Sequence, residues 1–390
     1  MGTFVSLFCG CGGLDLGFAQ AGLECLGAWD SDPSAVQVHK RNLNSKAEIR
    51  DLSKSPYVSV RNRPSVLLAG PPCQGFSTVG KRRLADPRNA LLLTVSTAAR
   101  SYRPKVVVVE NVPGVNSGSH AGYWTDLRRS LEGLGYGVTV VRASAQHLGL
   151  AQLRTRLFMV GVLGLKTVEV TLPNLQPKSL RTVLAGATFK PNHDPQLLVP
   201  HSDEVKIAMR IAPGQKLCDV RSGSRAVHTW QIPEVFGSVT AAERELLESV
   251  MSLRRRLRVR SKGDADPVPL AALRRVLGRS CSRTVQSLIR KDYLRERKGG
   301  IDLRHAFNGK YRRLHWDRPS PTVDTTFGNP RYFLHPEEHR GLSSREAARI
   351  QGFKDDFWLP DSRSTAFRLI GNAVPPPMSF ALAKGLVRFL

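Results

Sequence analysis

Gly70-Pro71-Pro72-Cys73-Gln74-Gly75-Phe76-Ser77 sets a thiol on a stiffened turn. The two prolines fix the approach and Gly75 lets the chain bend back, so Cys73 is presented rather than packed away. A thiol attacks as its thiolate, and Lys81, Arg82 and Arg83 supply the basic surroundings that help the proton leave. A second group stands in Glu110-Asn111-Val112, directly after the apolar run Lys105 to Val109. A carboxyl group at a strand end can hydrogen-bond or protonate a ring nitrogen of a base. A thiol and a carboxyl converging from adjacent strands form the minimal kit for conjugate addition to a pyrimidine: sulfur adds to C6, the acid offsets charge at N3, and C5 becomes nucleophilic. A third feature is the loop Cys9-Gly10-Cys11-Gly12-Gly13, with Asp30 ending the next apolar run. A glycine turn after a first strand and an acid after a second can hold a dinucleotide or an adenosyl group, the acid accepting from ribose hydroxyls. The alternative for Asp30 is a solvated acid at a helix start. Gly10, Gly12, Gly13 and Gly17 do not give the G-x-G-x-x-G spacing, which argues against a nicotinamide oxidoreductase.

These groups need rigid elements behind them. Thr3 to Phe8, Leu26 to Trp29, Ser65 to Ala69, Lys105 to Val109 and Leu157 to Val162 are short, apolar and poorly alternating, as buried parallel strands are. Between them, helices are predicted from Gly13 through Ala21, over Pro33 to Asn42 with Asp32 as N-cap, and over Asn89 to Arg100. The alternation predicts an α/β fold with a doubly wound, mostly parallel sheet. In that architecture ligands bind beyond the carboxyl ends of the strands, where Cys9 to Gly13, Asp30, Cys73 and Glu110 all fall.

From about Leu172 the texture changes: proline and polar residues increase and arginine becomes dense. A helix-like stretch from near Thr240 carries Arg254, Arg255, Arg256, Arg258 and Arg260. Two short helices follow over Pro269 to Leu277 and Ser282 to Lys291, then a hairpin from Tyr293 to Phe307 turning at Gly299-Gly300. This order suggests a winged-helix-like DNA reader; a generic mixed basic lobe is equally compatible. Arg and Lys between 254 and 298 are expected to meet phosphates and a few base edges, unless they form a solvated basic face. After Ser343 the α/β texture returns, with helices over Ser344 to Gln351 and from Pro377. The predicted organisation is 1–171 for catalysis and cofactor, 172–342 for target recognition, and 343–390 returning to the first domain.

The 390 residues carry a formal charge of +26, an excess suited to a polyanion partner because each neutralised phosphate releases condensed counterions. Hydrophobic residues at 41% suffice for a core. The six cysteines (Cys9, Cys11, Cys25, Cys73, Cys218 and Cys281) make no C-x-x-C pair and have no zinc-finger histidines beside them, so free thiols in a reducing compartment are expected and no metal. No signal-peptide pattern and no apolar run near ~18 residues is present, which predicts a soluble, intracellular protein without membrane contact.

Taken together, the motifs resemble the cytosine-5 DNA methyltransferases of prokaryotic type. Phe4-Val5-Ser6-Leu7-Phe8-Cys9-Gly10-Cys11-Gly12-Gly13 is similar to their first motif, Gly70 to Ser77 to their catalytic loop, and Glu110-Asn111-Val112 to their acid motif. Gln152-Leu153-Arg154-Thr155-Arg156 is similar to their Q-x-R-x-R motif, and Arg345 to Phe353 and Gly371-Asn372-Ala373-Val374-Pro375 to their late motifs. The resemblance implies S-adenosyl-L-methionine as cofactor, with Phe8, Gly10 and Gly12 at its amino-acid end, Asp30 at the ribose, Asp51 at the adenine amino group, and Asn372 and Ala373 closing the pocket. It implies Cys73 as nucleophile, Glu110 at N3 of the base, and Arg154 and Arg156 supporting the cytosine and the catalytic loop. Ser31 departs from the pattern, since many members carry a bulky residue there to stack on the adenine. The stretch from about Leu172 to Arg313 is not covered. The implied substrate is a cytosine flipped out of specific double-stranded DNA, in a restriction-modification system or as an orphan methylase, in the cytoplasm at the nucleoid; a monomer suffices. The alternatives are a tRNA cytosine-5 methyltransferase and a catalytically inactive DNA-binding regulator.

Overall fold

The computed structural model describes residues 2–54, 58–72, 91–116, 121–260, 265–278 and 281–390. Cys73 and the basic residues Lys81, Arg82 and Arg83 lie outside the described residues. The chain divides into two compact units. The first comprises Met1–Asp194, Asp317–Phe327 and Ser343–Leu390; the second comprises Pro195–Trp316 and Gly328–Leu342.

The first unit is built on a seven-stranded sheet: β1 (Thr3–Leu7), β2 (Glu24–Asp30), β3 (Ala47–Ile49), β4 (Val66–Ala69), β5 (Val106–Asn111), β6 (Tyr136–Ser144) and β8 (Thr155–Leu163), in the order β3-β2-β1-β4-β5-β8-β6. The five strands from β3 to β5 are parallel, whereas β8 is inserted antiparallel between β5 and β6. The order reverses at β1, between β2 and β4, which is where doubly wound sheets open a ligand crevice. The central strands are apolar on both faces because helices cover both. One face packs Leu7, Leu67, Val107, Val109 and Met159 under α3 (Leu91–Tyr102) and α4 (Ala121–Gly133). The other packs Phe4, Leu68, Val108, Phe158 and Val160 under α1 (Gly13–Gln20) and α13 (Pro376–Leu386). The helix α2 (Pro33–Leu43) starts on Asp32, whose carboxylate accepts from the Ser34 N–H, as the sequence predicts. Four strands were not foreseen: β3, β6, and the short β7 (Gln152–Leu153) with its partner β15 (Ser320–Pro321). Also unforeseen is α12 (Arg363–Asn372), which joins α11 (Ser344–Ile350) to α13.

The unit boundary falls at Asp194 rather than 171, and Asp317–Phe327 returns to the first unit. The change in texture at Leu172 marks the end of the sheet, not of its packing. Leu180 and Leu184 on α5 (Leu180–Leu184) are buried, and Arg349 of α11 donates to the Val183 and Ala185 carbonyls.

The second unit has two cores. One gathers Leu198, Ile207, Ile211, Leu217, Val227, Tyr311 and Leu334 from α6 (Asp203–Arg210), β9 (Lys216–Cys218), β10 (Ala226–Val227), β14 (Arg312–Arg313), β16 (Phe333–Leu334) and adjoining loops; β13 (Asn308–Lys310) pairs with β9 and α7 (Pro233–Phe236) lies between β10 and the next helix. The other is formed by α8 (Ala241–Arg256), α9 (Leu270–Leu277), α10 (Cys281–Arg290) and the antiparallel hairpin β11 (Leu294–Arg297) and β12 (Gly300–Leu303). Thr240 and Glu243 close a capping box on α8. Val268, between α8 and α9, exchanges backbone hydrogen bonds of 2.7 and 2.8 Å with Ile301, adding a third extended segment to the hairpin. Gly300 is required there: a Cβ would lie 2.1 Å from the Val268 carbonyl oxygen. The expected helices and hairpin are present, but Arg258 and Arg260 lie beyond the end of α8.

Candidate active site

The site grows from the carboxyl ends of β1, β4 and β5. Strand register aligns Leu7 with Ala69 and Ala69 with Val109, so Phe8, Gly70 and Glu110 leave the sheet side by side. A Cβ placed on Gly70 would lie 3.4 Å from the Phe8 carbonyl oxygen and 3.9 Å from Glu110 Oε2. Asn111 Nδ2 donates to the Pro71 carbonyl at 3.5 Å. The chain leading to Cys73 therefore departs beside the Glu110 carboxyl group.

Glu110 is only 9% exposed. Burial pushes its carboxyl above the usual range, and the Arg156 guanidinium, with Nε 2.6 Å from Oε1, pulls against that push, as does the field of Arg154. A carboxyl so balanced holds its proton to higher pH than a solvated one, yet stays within reach of ionisation. That is what proton donation to a weakly basic ring nitrogen requires.

Arg154 does not face this site. It is fully buried and donates to the carbonyls of Val323 (2.8 Å), Gly371 (2.9 Å) and Ala373 (2.8 Å). Arg154, expected to support the cytosine and the catalytic loop, is a buried clamp that ties the 317–327 segment and the end of α12 to the start of β8. Gln152 extends the clamp, donating to the Ile350 carbonyl and to Gln351 Oε1 at 2.7 Å. Of the Q-x-R-x-R residues, only Arg156 reaches the Glu110 carboxyl directly.

The first loop runs through three left-handed residues, Phe8 (φ 54), Gly10 (φ 55) and Gly12 (φ 89). For Phe8 this conformation costs about 1–2 kcal/mol, the kind of strain found at ligand sites. A Cβ on Gly10 would meet nothing within 4 Å, so the loop is open above it, whereas one on Gly12 would lie 2.9 Å from His39 Cδ2. Asp30 accepts from the Gly10 N–H through Oδ2 and from the Asp32 N–H through Oδ1, both at 2.9 Å. Burial raises its pKa, and those two N–H groups hold the rise back. Burial also pushes the Cys11 thiol up to about 12 and raises Cys9 well above its ordinary value, so neither thiol of the loop is a nucleophile near neutral pH. Asn372 is exposed at the end of α12, and Ala373 lies against Gly13, whose Cβ would come 3.2 Å from that of Ala373. Asp51 is exposed at the far side of β2 and β3. Its carboxylate accepts from the Ser53 N–H and hydroxyl, bonds that lower its pKa. Ser31 is exposed next to Asp30.

Sequence reasoning missed the support beneath this loop. Ser6 donates to Asp15 at 2.7 Å, Asp15 meets His39 Nε2 at 2.7 Å, and His39 Nδ1 meets Ser45 at 2.6 Å, with Asp15 and His39 wholly buried. The available signal was Asp15 itself, an acid in an otherwise apolar helix turn. It also missed Arg368 of α12, which pairs with the α2 cap Asp32. In the second unit, Arg254 is corrected as a phosphate contact: it is buried with Nε 2.6 Å from Asp302 Oδ1.

Residues 2–388 match the family described as C-5 cytosine-specific DNA methylase. The chain is 30% identical to the Type II methyltransferase M.AgeI of Thalassovita gelatinovora, over 97% of this chain and 98% of that protein. It is 26% identical to the Type II methyltransferase M.BanI of Aneurinibacillus aneurinilyticus, over 95% and 92%. Its fold is similar to that of a DNA modification methyltransferase from an E. coli prophage, with a TM-score of 0.60 at 21% identity, covering 100% of this chain and 99% of the other.

Proposed function

The chain belongs to the C-5 cytosine-specific DNA methylase family, and we propose that Cys73 and Glu110 are the pair with which it methylates a flipped cytosine. The single observation that supports this is that Gly70 and Pro71, which lead in sequence to Cys73, lie beside the Glu110 carboxyl and Asn111. In the proposed reaction the Cys73 thiolate adds to C6 of the ring. The displaced electron pair moves toward N3, where Glu110 donates its proton. C5, now electron-rich, takes the methyl group as the bond from that group to its donor sulfur breaks and leaves a neutral thioether. C5 then loses its hydrogen to a base as the C6–S bond breaks, the thiolate returns, and N3 gives its proton back to Glu110. Arg156 holds the Glu110 carboxyl in place, and Arg154 positions the segments around it.

S-adenosyl-L-methionine, when bound, supplies the methyl group on a sulfonium. The residues fit it: the strained Phe8 turn, the open space over Gly10 and the glycine at 12 suit its amino-acid end, while Asp30 keeps lone pairs for ribose hydroxyls after accepting two N–H groups. Asp51 would accept from the adenine amino group, and Asn372 and Ala373 would close the pocket from the tail. The second unit would read the target in double-stranded DNA. The Type II relatives support a role in modification, either paired with an endonuclease or alone.

The test is covalent trapping. A duplex carrying 5-fluorocytosine lacks the C5 hydrogen whose loss frees the thiol, so the wild-type chain should form a stable protein–DNA adduct and Cys73→Ala none. An adduct of equal yield in Cys73→Ala would overturn the assignment.

A further inference from the structure

In the second unit, three helices, an extended segment between the first two, and a closing hairpin follow the order α8, Val268, α9, α10, β11, β12, with Val268 paired to β12. The helix α9 ends on Gly278 in the left-handed region (φ 80), the Cys281 N–H at the start of α10 donates to the Gly278 carbonyl at 3.4 Å, and Arg274 of α9 reaches Ser282 of α10 at 3.2 Å. A helix-turn-helix of this form places its second helix in the major groove.

The helix α10 has two opposed faces. Cys281, Val285 and Leu288 are buried in the core. Arg283, Gln286 and Arg290 stand on the opposite side and are exposed. The helix contains no acidic residue. Arg283 and Arg290 have no acidic partner among the described residues, whereas five other cations of this core are paired with acids: Arg254, Arg295 and Arg297 with Asp302, Lys291 with Glu243, and Arg304 with Asp292; Arg274 and Arg275 on α9 are exposed as well. A folded element that neutralises its inner arginines and leaves two on one helix face, with a glutamine between them, displays the two side-chain types that pair bidentately with guanine and adenine edges.

We propose that α10 is the helix that selects the methylation target, with Arg283 contacting a guanine and Gln286 an adenine in the major groove. Arg290, two turns on from Arg283, and Lys298 at the exposed hairpin tip contact phosphates and set the register. This rests on the reading of duplex DNA as substrate, but it does not depend on Cys73 or Glu110.

The experiment is selection of bound duplexes from a randomised pool by the full chain, which reads sequence preference without methyl transfer. The wild-type chain should enrich one defined site. R283A and R283K should each lose the preference for guanine at one position, and Q286A the preference at a neighbouring one, with affinity for the wild-type site falling about 10- to 100-fold. Lysine keeps the charge but not the bidentate fork, so R283K separates base reading from phosphate contact. R290A should weaken all sequences alike and reduce the slope of affinity against salt by about one. An unchanged enriched site in R283A and Q286A, with thermal unfolding matching the wild type, would overturn the assignment. So would a wild-type chain that enriches no site. A wild type that fails to trap 5-fluorocytosine DNA while α10 variants shift the enriched site would break only the catalytic reading.

Discussion

Arg154 in the first unit and Arg254 in the second are both sealed from solvent, yet they are satisfied in opposite ways. Arg154 donates to three neutral carbonyls, and its field also reaches Glu110. Arg254 meets Asp302, which also draws in Arg295 and Arg297. A buried guanidinium can thus be fixed by neutral backbone acceptors or by a carboxylate. The first arrangement ties together segments distant in sequence, and the second lets one acid gather several arginines.

The largest effect should separate these two arginines. Arg154→Met orphans three buried carbonyls and should cost about 3–6 kcal/mol of stability. Arg254→Met leaves Asp302 with two other guanidiniums and should cost about 2–3 kcal/mol, less than the penalty for a buried partner left alone. Denaturant unfolding of both variants checks the ranking, and equal costs would erase the distinction. Next comes the carboxyl group that the Arg154 and Arg156 fields reach. Glu110→Gln should slow single-turnover methyl transfer about 10²- to 10⁴-fold with cofactor affinity retained. Arg156 lowers the Glu110 pKa against the upward push of burial, so Arg156→Met should raise it further. The alkaline limb of the pH–rate profile, where Glu110 loses its proton, should then move to higher pH; a limb that stays or moves down counts against Glu110 as the proton donor.

The smallest effect tests an acid of the second unit. Against the push of burial, hydrogen bonds from Lys291, the Thr240 N–H and Ser287 hold Glu243 down to about 2. A depressed carboxylate stabilises the fold above its unfolded pKa, and that stability is lost as pH falls from about 4.5 toward 2. Glu243→Gln should cost about 1–3 kcal/mol near pH 7 and flatten stability against pH in that acid window. Unfolding midpoints measured from pH 7 to pH 2 check it.

How much of this was legible follows from what each residue needs to be recognised. Glu110 announced itself because a run of β-branched residues stops on it, and the first loop because glycines interrupt a pattern. The direction of β8 was not legible: five apolar residues read alike in either sense, and only the pairing with β5 and β6 sets it antiparallel. The strand β6 was hidden because Thr139 and Arg142 interrupt its apolar run. Arg154 carried a motif but not its role, since its partners are carbonyl oxygens of Val323, Gly371 and Ala373, which every residue possesses. The network from Ser6 to Ser45 is invisible for a similar reason: no spacing in the chain relates Asp15 to His39. On α10 the amphipathic pattern was readable, but which of the basic residues are neutralised from within was not, because Asp302 and Glu243 act across the core.

Val374 leaves no room for a side chain on Gly13, its carbonyl oxygen lying 2.2 Å from where a Cβ would be, and Ser379 donates to the Gly13 carbonyl across 366 positions of sequence. The glycine loop and its back wall thus come from segments 366 positions apart, so the loop is closed by long-range folding rather than by its own neighbours. A local opening that frees α13 from α1 should release the loop while the sheet stays formed, and hydrogen exchange at the Gly13 and Ser379 amides should then rise together.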